Sequence, residues 1–160
     1  MEEQLLKIIE KNSRIDLKEL SVILGVEEID VVNKLAELEA KGTICGYHTL
    51  INWENTDLES ISALIEVRVT PQSGQGFDNI AERIYKYPEV HAVYLISGGY
   101  DLLVSIEGKS LKEVAAFVSE KLSAIDSVLS TATHFVLKKY KDHGTVLSKR
   151  NSDKREVITP

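Results

Sequence analysis

Apolar residues along this chain change their period once, near residue 60, and the change predicts two domains of different kind. Over the first forty residues the spacing is helical. Leu5, Ile8 and Ile9 share one face, with Lys7, Glu10 and Lys11 left to water. Asn12-Ser13-Arg14 interrupts the pattern, and Asp16 then offers an N-cap to LKELSVIL, with Glu19 placed to complete a capping box. Leu17, Leu20, Ile23 and Leu24 give this second helix its stripe, and Gly25 suits the turn that ends it. In a third helix, starting near Glu27, Ile29, Val32, Leu35, Ala36 and Leu38 are expected to be buried. Asp30, Asn33, Lys34, Glu37 and Lys41 are expected to project outward. Gly42 fits a C′ position, and Thr43 to Ile51 reads as β with a turn or bulge at Gly46. Together these elements describe a winged helix-turn-helix over residues 1–51. The same helices also fit a three-helix packing module that never meets nucleic acid.

Residues 52–60 are polar and turn-rich, and read as a linker. Beyond them Ile61 to Val69 alternates as a strand, and Phe77, Ile80, Ala81, Ile84 and Tyr85 form a helical stripe that stops before Pro88. Val90–Ile96 and Leu102–Ile106 are two strands joined through Ser97-Gly98-Gly99-Tyr100-Asp101. Ser110 and Glu113 make a capping box for a helix carrying Val114, Phe117, Val118 and Leu122, and Val128 to Leu137 is the last strand. The order βαββαβ is the ferredoxin-like arrangement, here over residues 61–139, so the fold class is α+β. A four-stranded sheet with both helices on one face leaves the other bare. Apolar residues on both faces of the first and last strands predict that a second copy covers it in a twofold homodimer.

Composition narrows the function. The 160 residues are 43% hydrophobic and 28% charged, enough for packed cores and unlike a disordered chain. No run approaches the roughly 20 apolar residues of a membrane span, and MEEQLLKIIEK lacks the basic start of a signal peptide, so a cytoplasmic protein is expected. Cys45 is the only cysteine, which rules out an intrachain disulfide; its apolar context predicts a buried thiol. His48, His91, His134 and His143 fall in no metal-ligand spacing, and no phosphate-binding glycine motif is present. No cofactor, metal site or catalysis is therefore expected. The net charge of −6 is unevenly spread: residues 1–58 carry 6 Lys/Arg against 12 Asp/Glu, whereas residues 138–160 carry 7 against 3. The basic excess lies in the C-terminal extension, residues 140–160.

The segment Leu35-Ala36-Glu37-Leu38-Glu39-Ala40-Lys41-Gly42-Thr43-Ile44-Cys45-Gly46-Tyr47, joined to the later Gly98-Gly99-Tyr100-Asp101, resembles the Lrp/AsnC family of transcriptional regulators over about residues 3–138. The resemblance implies a ferredoxin-like (RAM-type) C-terminal domain. It also implies double-stranded DNA bound by the N-terminal domain, amino-acid effectors held between subunits, and dimers often assembled into octamers.

Two sets of residues carry the candidate chemistry. A helix-turn-helix lays its second helix in the major groove, with cations on the phosphates. In this chain that helix begins Val26-Glu27-Glu28-Ile29-Asp30, where carboxylates suit the helix dipole but repel phosphate. The family usually places hydroxyl-bearing and basic residues there. Arg14, Lys18, Lys34 and Lys41 are the candidate phosphate contacts, Asn33 a candidate adenine reader, and Glu27 and Asp30 candidate acceptors from cytosine, with Glu28 also among the candidate DNA-binding residues. Lys149-Arg150 and Lys154-Arg155 form a candidate electrostatic arm. For the effector, the glycines of Ser97-Gly98-Gly99-Tyr100-Asp101 are expected to permit positive φ and close backbone approach. Asp101 fits an α-ammonium group and Tyr100 a pocket wall; read from the residues alone, a carboxylate capping its own hairpin is the better account of Asp101. The resemblance favours the ligand role. Asp126, Thr131 and Thr133 are further candidates, the two threonines sharing one face of a strand. The competing reading is a metabolite-sensing oligomer that has lost most DNA affinity and whose acidic N-terminal domain contacts protein.

Overall fold

The computed structural model describes residues 1–70 and 76–148. The chain divides into two compact units, Met1–Ile51 and Asn52–Pro160. No helix among the described residues is long and apolar enough to cross a membrane.

The N-terminal unit holds α1 (Glu2–Lys11), α2 (Leu17–Leu24) and α3 (Glu28–Ala40). Asp16 caps α2 by accepting from the Lys18 N–H at 2.9 Å. Gly25 ends α2 at φ 68°, a conformation that strains any side chain, and so turns the chain into α3. Leu5, Leu20, Val31 and Leu38 form the core, with Leu6, Ile8, Ile9, Leu17, Leu24 and Leu35 packed around it.

The inward face of α3 differs from the expected one. Val31, Leu35 and Leu38 point to the core, whereas Ile29 is 62% exposed, Val32 38% exposed, and Ala36 exposed too. The helix carries two apolar stripes of valid helical spacing, 31/35/38 and 29/32/36, and periodicity alone does not say which one meets α1 and α2. Lys34 also turns inward: its ammonium pairs with Glu2 of α1 at 2.6 Å and with Glu37 at 3.0 Å.

The expected β element after α3 is absent, since no strand forms between Thr43 and Ile51. A strand needs a ladder partner, and the described part of this unit offers none. Instead the N–H groups of Thr43 and Ile44 both donate to the Leu38 carbonyl, closing the end of α3, and Ile44 packs on the core. With Ile44 facing inward, the neighbouring Cys45 is exposed rather than buried.

The C-terminal unit runs β1 (Ile61–Val69), α4 (Asp78–Tyr85), β2 (Val90–Leu95), β3 (Leu102–Gly108), α5 (Leu111–Ala116) and β4 (Val128–Phe135). The sheet order is β2-β3-β1-β4 with every pairing antiparallel, the ferredoxin-like topology. Ala63, Ile65, Val67 and Val69 of β1, Leu102, Val104 and Ile106 of β3, Ile80 and Ile84 of α4, and Val114 of α5 build the core. Ser110 caps α5 by accepting from the Glu113 N–H, and the Glu113 carboxylate takes the Lys109 N–H. After Ala116 the helix widens into a π turn, Phe117–Leu122. The wider turn brings two residues five apart, Phe117 and Leu122, onto the buried side.

The sheet's other face is more polar than expected. The register puts Leu64, Glu66, Leu103, Ser105, Tyr94 and His134 on it, and His134 Nε2 lies 3.2 Å from Glu66 Oε1. The linker and the extension also gain structure: a 3-10 turn covers Trp53–Asn55, and β5 (Lys141–Asp142) pairs with β6 (Thr145–Val146). The β5–β6 turn is His143-Gly144, both at positive φ (42° and 78°), as a two-residue hairpin turn requires. Asn52 Nδ2 donates to the Leu147 carbonyl at 3.1 Å, tying the hairpin to the linker. Lys149, Arg150, Lys154 and Arg155 lie outside the described residues.

The Lys34 network sets a pH dependence. Lys41 and then Lys34 hold the Glu37 carboxyl below the ordinary 4.5, while Glu2 and then Glu37 hold Lys34 above its usual range. A depressed carboxylate stabilises the fold at pH above its unfolded value and loses that contribution as pH falls through the folded one. At neutral pH the wild type is therefore expected to melt above Glu37→Gln, and the gap should close as pH falls through and below 4.5. Thermal melts of both proteins across that range check this; a gap independent of pH would refute it.

Candidate nucleic-acid interface and effector site

Exposed residues of α2, α3 and the turn between them form the candidate DNA surface. The cations divide by use. Lys34 is spent on Glu2 and Glu37, and Lys41 on Glu37, so two expected phosphate contacts are engaged within the unit. Arg14 and Lys18, just before and within the first turn of α2, are exposed and pair with no carboxylate among the described residues. Asn33 is exposed at mid-helix. Glu28 and Asp30 are exposed in the first turn of α3 beside Glu27, again without a cation partner among the described residues. An open surface depression lies against this turn, lined by Ser21, Val22, Gly25, Val26, Glu27 and Asp30. After α3, the Tyr47 hydroxyl donates to Glu39 at 2.7 Å, which anchors the irregular segment and pushes the phenol pKa up.

The candidate effector residues converge on the C-terminal end of β1. The Asp101 N–H donates to the Val67 carbonyl at 3.1 Å, and Asp101 Oδ2 accepts from the Val69 N–H at 2.9 Å. Its carbonyl accepts from the Ile96 N–H, so one residue clamps the β2–β3 loop to the central strand. On the other side of β1, the Thr70 N–H donates to the carbonyl of Ser127, which is itself buried. Asp126 precedes it, exposed, and Thr131 and Thr133 sit opposite Val67 and Ile65, half-buried on the helix-covered face. Ser97, Gly98 and Gly99 are exposed and Tyr100 is half-buried. The structure thus brings Asp101, Asp126 and Thr131 to one end of the sheet and sets Thr133 two residues further in.

Two details differ from expectation. Gly98 and Gly99 do not take positive φ; the positive-φ glycines among the described residues are Gly25, Gly42, Gly76 and Gly144. Their lack of a side chain is not demanded by packing either, since a Cβ at Gly99 would meet nothing within 4 Å and one at Gly98 only Ile96 at 3.6 Å. The sequence also gave no signal for Val69 and Ser127, whose backbones join the two sides of the site. Among the described residues no group of three or more His, Cys, Asp or Glu is set to hold a metal ion.

Asp101→Ala leaves the Val69 N–H without its acceptor and is expected to destabilise the protein by about 1–3 kcal/mol, whereas Asp101→Asn keeps an acceptor oxygen and should cost about 1 kcal/mol or less. Urea unfolding compares the two. Equal losses would show that the Val69 bond is not what Asp101 contributes to the fold.

Residues 62–146 match the Lrp/AsnC ligand binding domain. The chain is 47% identical over 160 residues to the HTH-type transcriptional regulator YugG of Bacillus subtilis, an alignment covering 99% of this chain and 96% of that protein. Among solved structures, AsnC of E. coli superposes with a TM-score of 0.67 at 18% identity, covering 92% of this chain and 96% of that one. Regulator NMB0573 of Neisseria meningitidis, crystallised as an L-Met complex, gives 0.70 at 24% identity, covering 88% and 90%. With a helix-turn-helix ahead of a ferredoxin-like sheet, this chain belongs to the Lrp/AsnC family and is an HTH-type transcriptional regulator.

Proposed function

We propose that the protein regulates transcription by binding duplex DNA through α2 and α3, with its quaternary state governed by an amino acid or related metabolite at the end of β1. The observation that carries the DNA half is the division of side chains on the first unit. Lys34 and Lys41 serve the fold, leaving Arg14 and Lys18 for phosphates and Asn33 for bases. So few phosphate contacts imply weak binding per domain. Assembly offsets it, because linked reading heads raise each other's effective concentration.

The effector half rests on Gly98 and Gly99, which expose main chain with no side chain over it beside the carboxylate of Asp101. Bare backbone of this kind admits a ligand carboxylate to N–H groups, with Asp101, Asp126 and the two threonines meeting its ammonium end. The L-Met complex of the Neisseria relative supports an amino acid as effector. Membership of the Lrp/AsnC family supports a homodimer, which would join through the open sheet face and build up into an octamer. Similarity to a transcriptional regulator of Bacillus subtilis supports a cytoplasmic location.

One observation favours the rival reading. Glu27, Glu28 and Asp30 stand exposed beside Val22 and Ile29, an acidic and apolar surface that fits a protein partner. A gel-shift titration on the protein's own upstream region at low salt separates the two. A shift at or below micromolar protein, altered by one of the twenty amino acids, is expected; no shift with or without them favours the protein partner. Light scattering should report a dimer or a multiple of it, and a monomer at all concentrations would overturn the assembly.

A further inference from the structure

The outward side of α3 carries Ile29, Asn33, Ala36 and Ala40, at spacings of four, three and four residues, with Val32 beside them on one edge and the exposed carboxylates of Asp30 and Glu37 along the other. Ile29 is 62% exposed and Val32 38%, although each is large enough to fill a core position. No cation stands in this row. Lys34 is drawn to Glu2 and Glu37 on the other flank, and Lys41 to Glu37. The commonest reading of guanine, a bidentate Arg or Lys on its O6 and N7, therefore has no side chain in this row to make it.

What the row does present has a specific complement in the major groove. Asparagine pairs bidentately with adenine N6 and N7, and aliphatic groups pack on the thymine 5-methyl, the one apolar group on a base edge there. From Ile29 to Ala36 the helix rises about 10 Å at 1.5 Å per residue, about three base-pair steps at 3.4 Å. Ile29 and Ala36 thus sit one turn to either side of Asn33, spaced to touch thymines flanking an adenine read by Asn33. Arg14 and Lys18, at the start of α2, lie outside the row, where the first helix of the motif meets phosphate.

The geometry points to a reading head that recognises duplex DNA by thymine 5-methyl groups on Ile29, Val32 and Ala36, around one adenine held by Asn33. The inference rests on the DNA-binding role proposed above and specifies its chemistry. Glu28 and Asp30, on the flanks of the row, exclude phosphate from its first turn rather than read cytosine.

The test uses the full-length protein and duplexes that it selects from a random-sequence library. Each thymine of a selected site is replaced singly by deoxyuridine, which removes the methyl and leaves the hydrogen-bonding pattern intact. The expected result is a loss of roughly fourfold at two or more positions, the factor for about 0.8 kcal/mol of apolar burial at 1.4 kcal/mol per tenfold. Ile29→Ala should erase the uracil penalty at one position and Val32→Ala at another, with melting temperatures near the wild type because both side chains are on the surface. Uracil tolerated everywhere would overturn the inference while leaving DNA binding intact. So would G·C-rich selected sites whose discrimination is lost in Glu28→Gln. Failure to retain any DNA would overturn the DNA-binding reading itself, and this inference with it.

Discussion

Strand β1 is hydrogen-bonded on both edges, to β3 on one side and β4 on the other, and the C-terminal unit depends on it. Being central, it must bury one face completely: Ala63, Ile65, Val67 and Val69 are all within the core. Its alternation then fixes what its neighbours present. Thr131 and Thr133 face the helices because Val67 and Ile65 do, and His134 meets Glu66 because both lie on the opposite side. Where β1 ends, its spare N–H groups have to be satisfied, and they are met from both sides by Asp101 and Ser127. The candidate effector site is that meeting point. It is built on the need to finish a buried strand, so Asp101 holds the strand with one carboxylate oxygen while it lines the loop.

The N-terminal unit shows the opposite economy, with one lysine serving two carboxylates. Lys34 could serve DNA or the fold, and Glu2 and Glu37 draw it to the fold. That choice draws the mid-helix cation to one flank, while Ile29, Val32 and Asn33 stay exposed on α3. Lys34 is a cation that the fold uses, and the outward row is what it leaves exposed.

Much of this was legible in the sequence. The change from helical to alternating period separates the helical and sheet-forming parts, and the caps at Asp16 and Ser110 form as local chemistry predicts. What escaped sequence reading was non-local or degenerate. Two stripes on α3 have equally good spacing, and only packing against Leu5 and Leu20 selects Val31, Leu35 and Leu38. The run after Gly42 has strand composition but no strand to pair with among the described residues of its unit. Gly98 and Gly99 looked like turn residues and are not conformationally required. The β5–β6 hairpin was masked by the charge of the segment around it, though Asp142-His143-Gly144-Thr145 carries the turn signal. The candidate sites were visible as loops and helix faces; their division of labour was not, because it depends on which partner reaches each charge.

The bond from Asn52 to the Leu147 carbonyl joins residues 95 positions apart. On a ribosome the two units therefore mature on different schedules. Residues 1–51 make mostly local helical contacts and can pack as soon as they leave the exit tunnel. The sheet unit has to wait for β4 and then for residue 147 before its two ends are stitched together. The first unit is encoded in full by residue 51, whereas the last tie of the second is encoded only at residue 147.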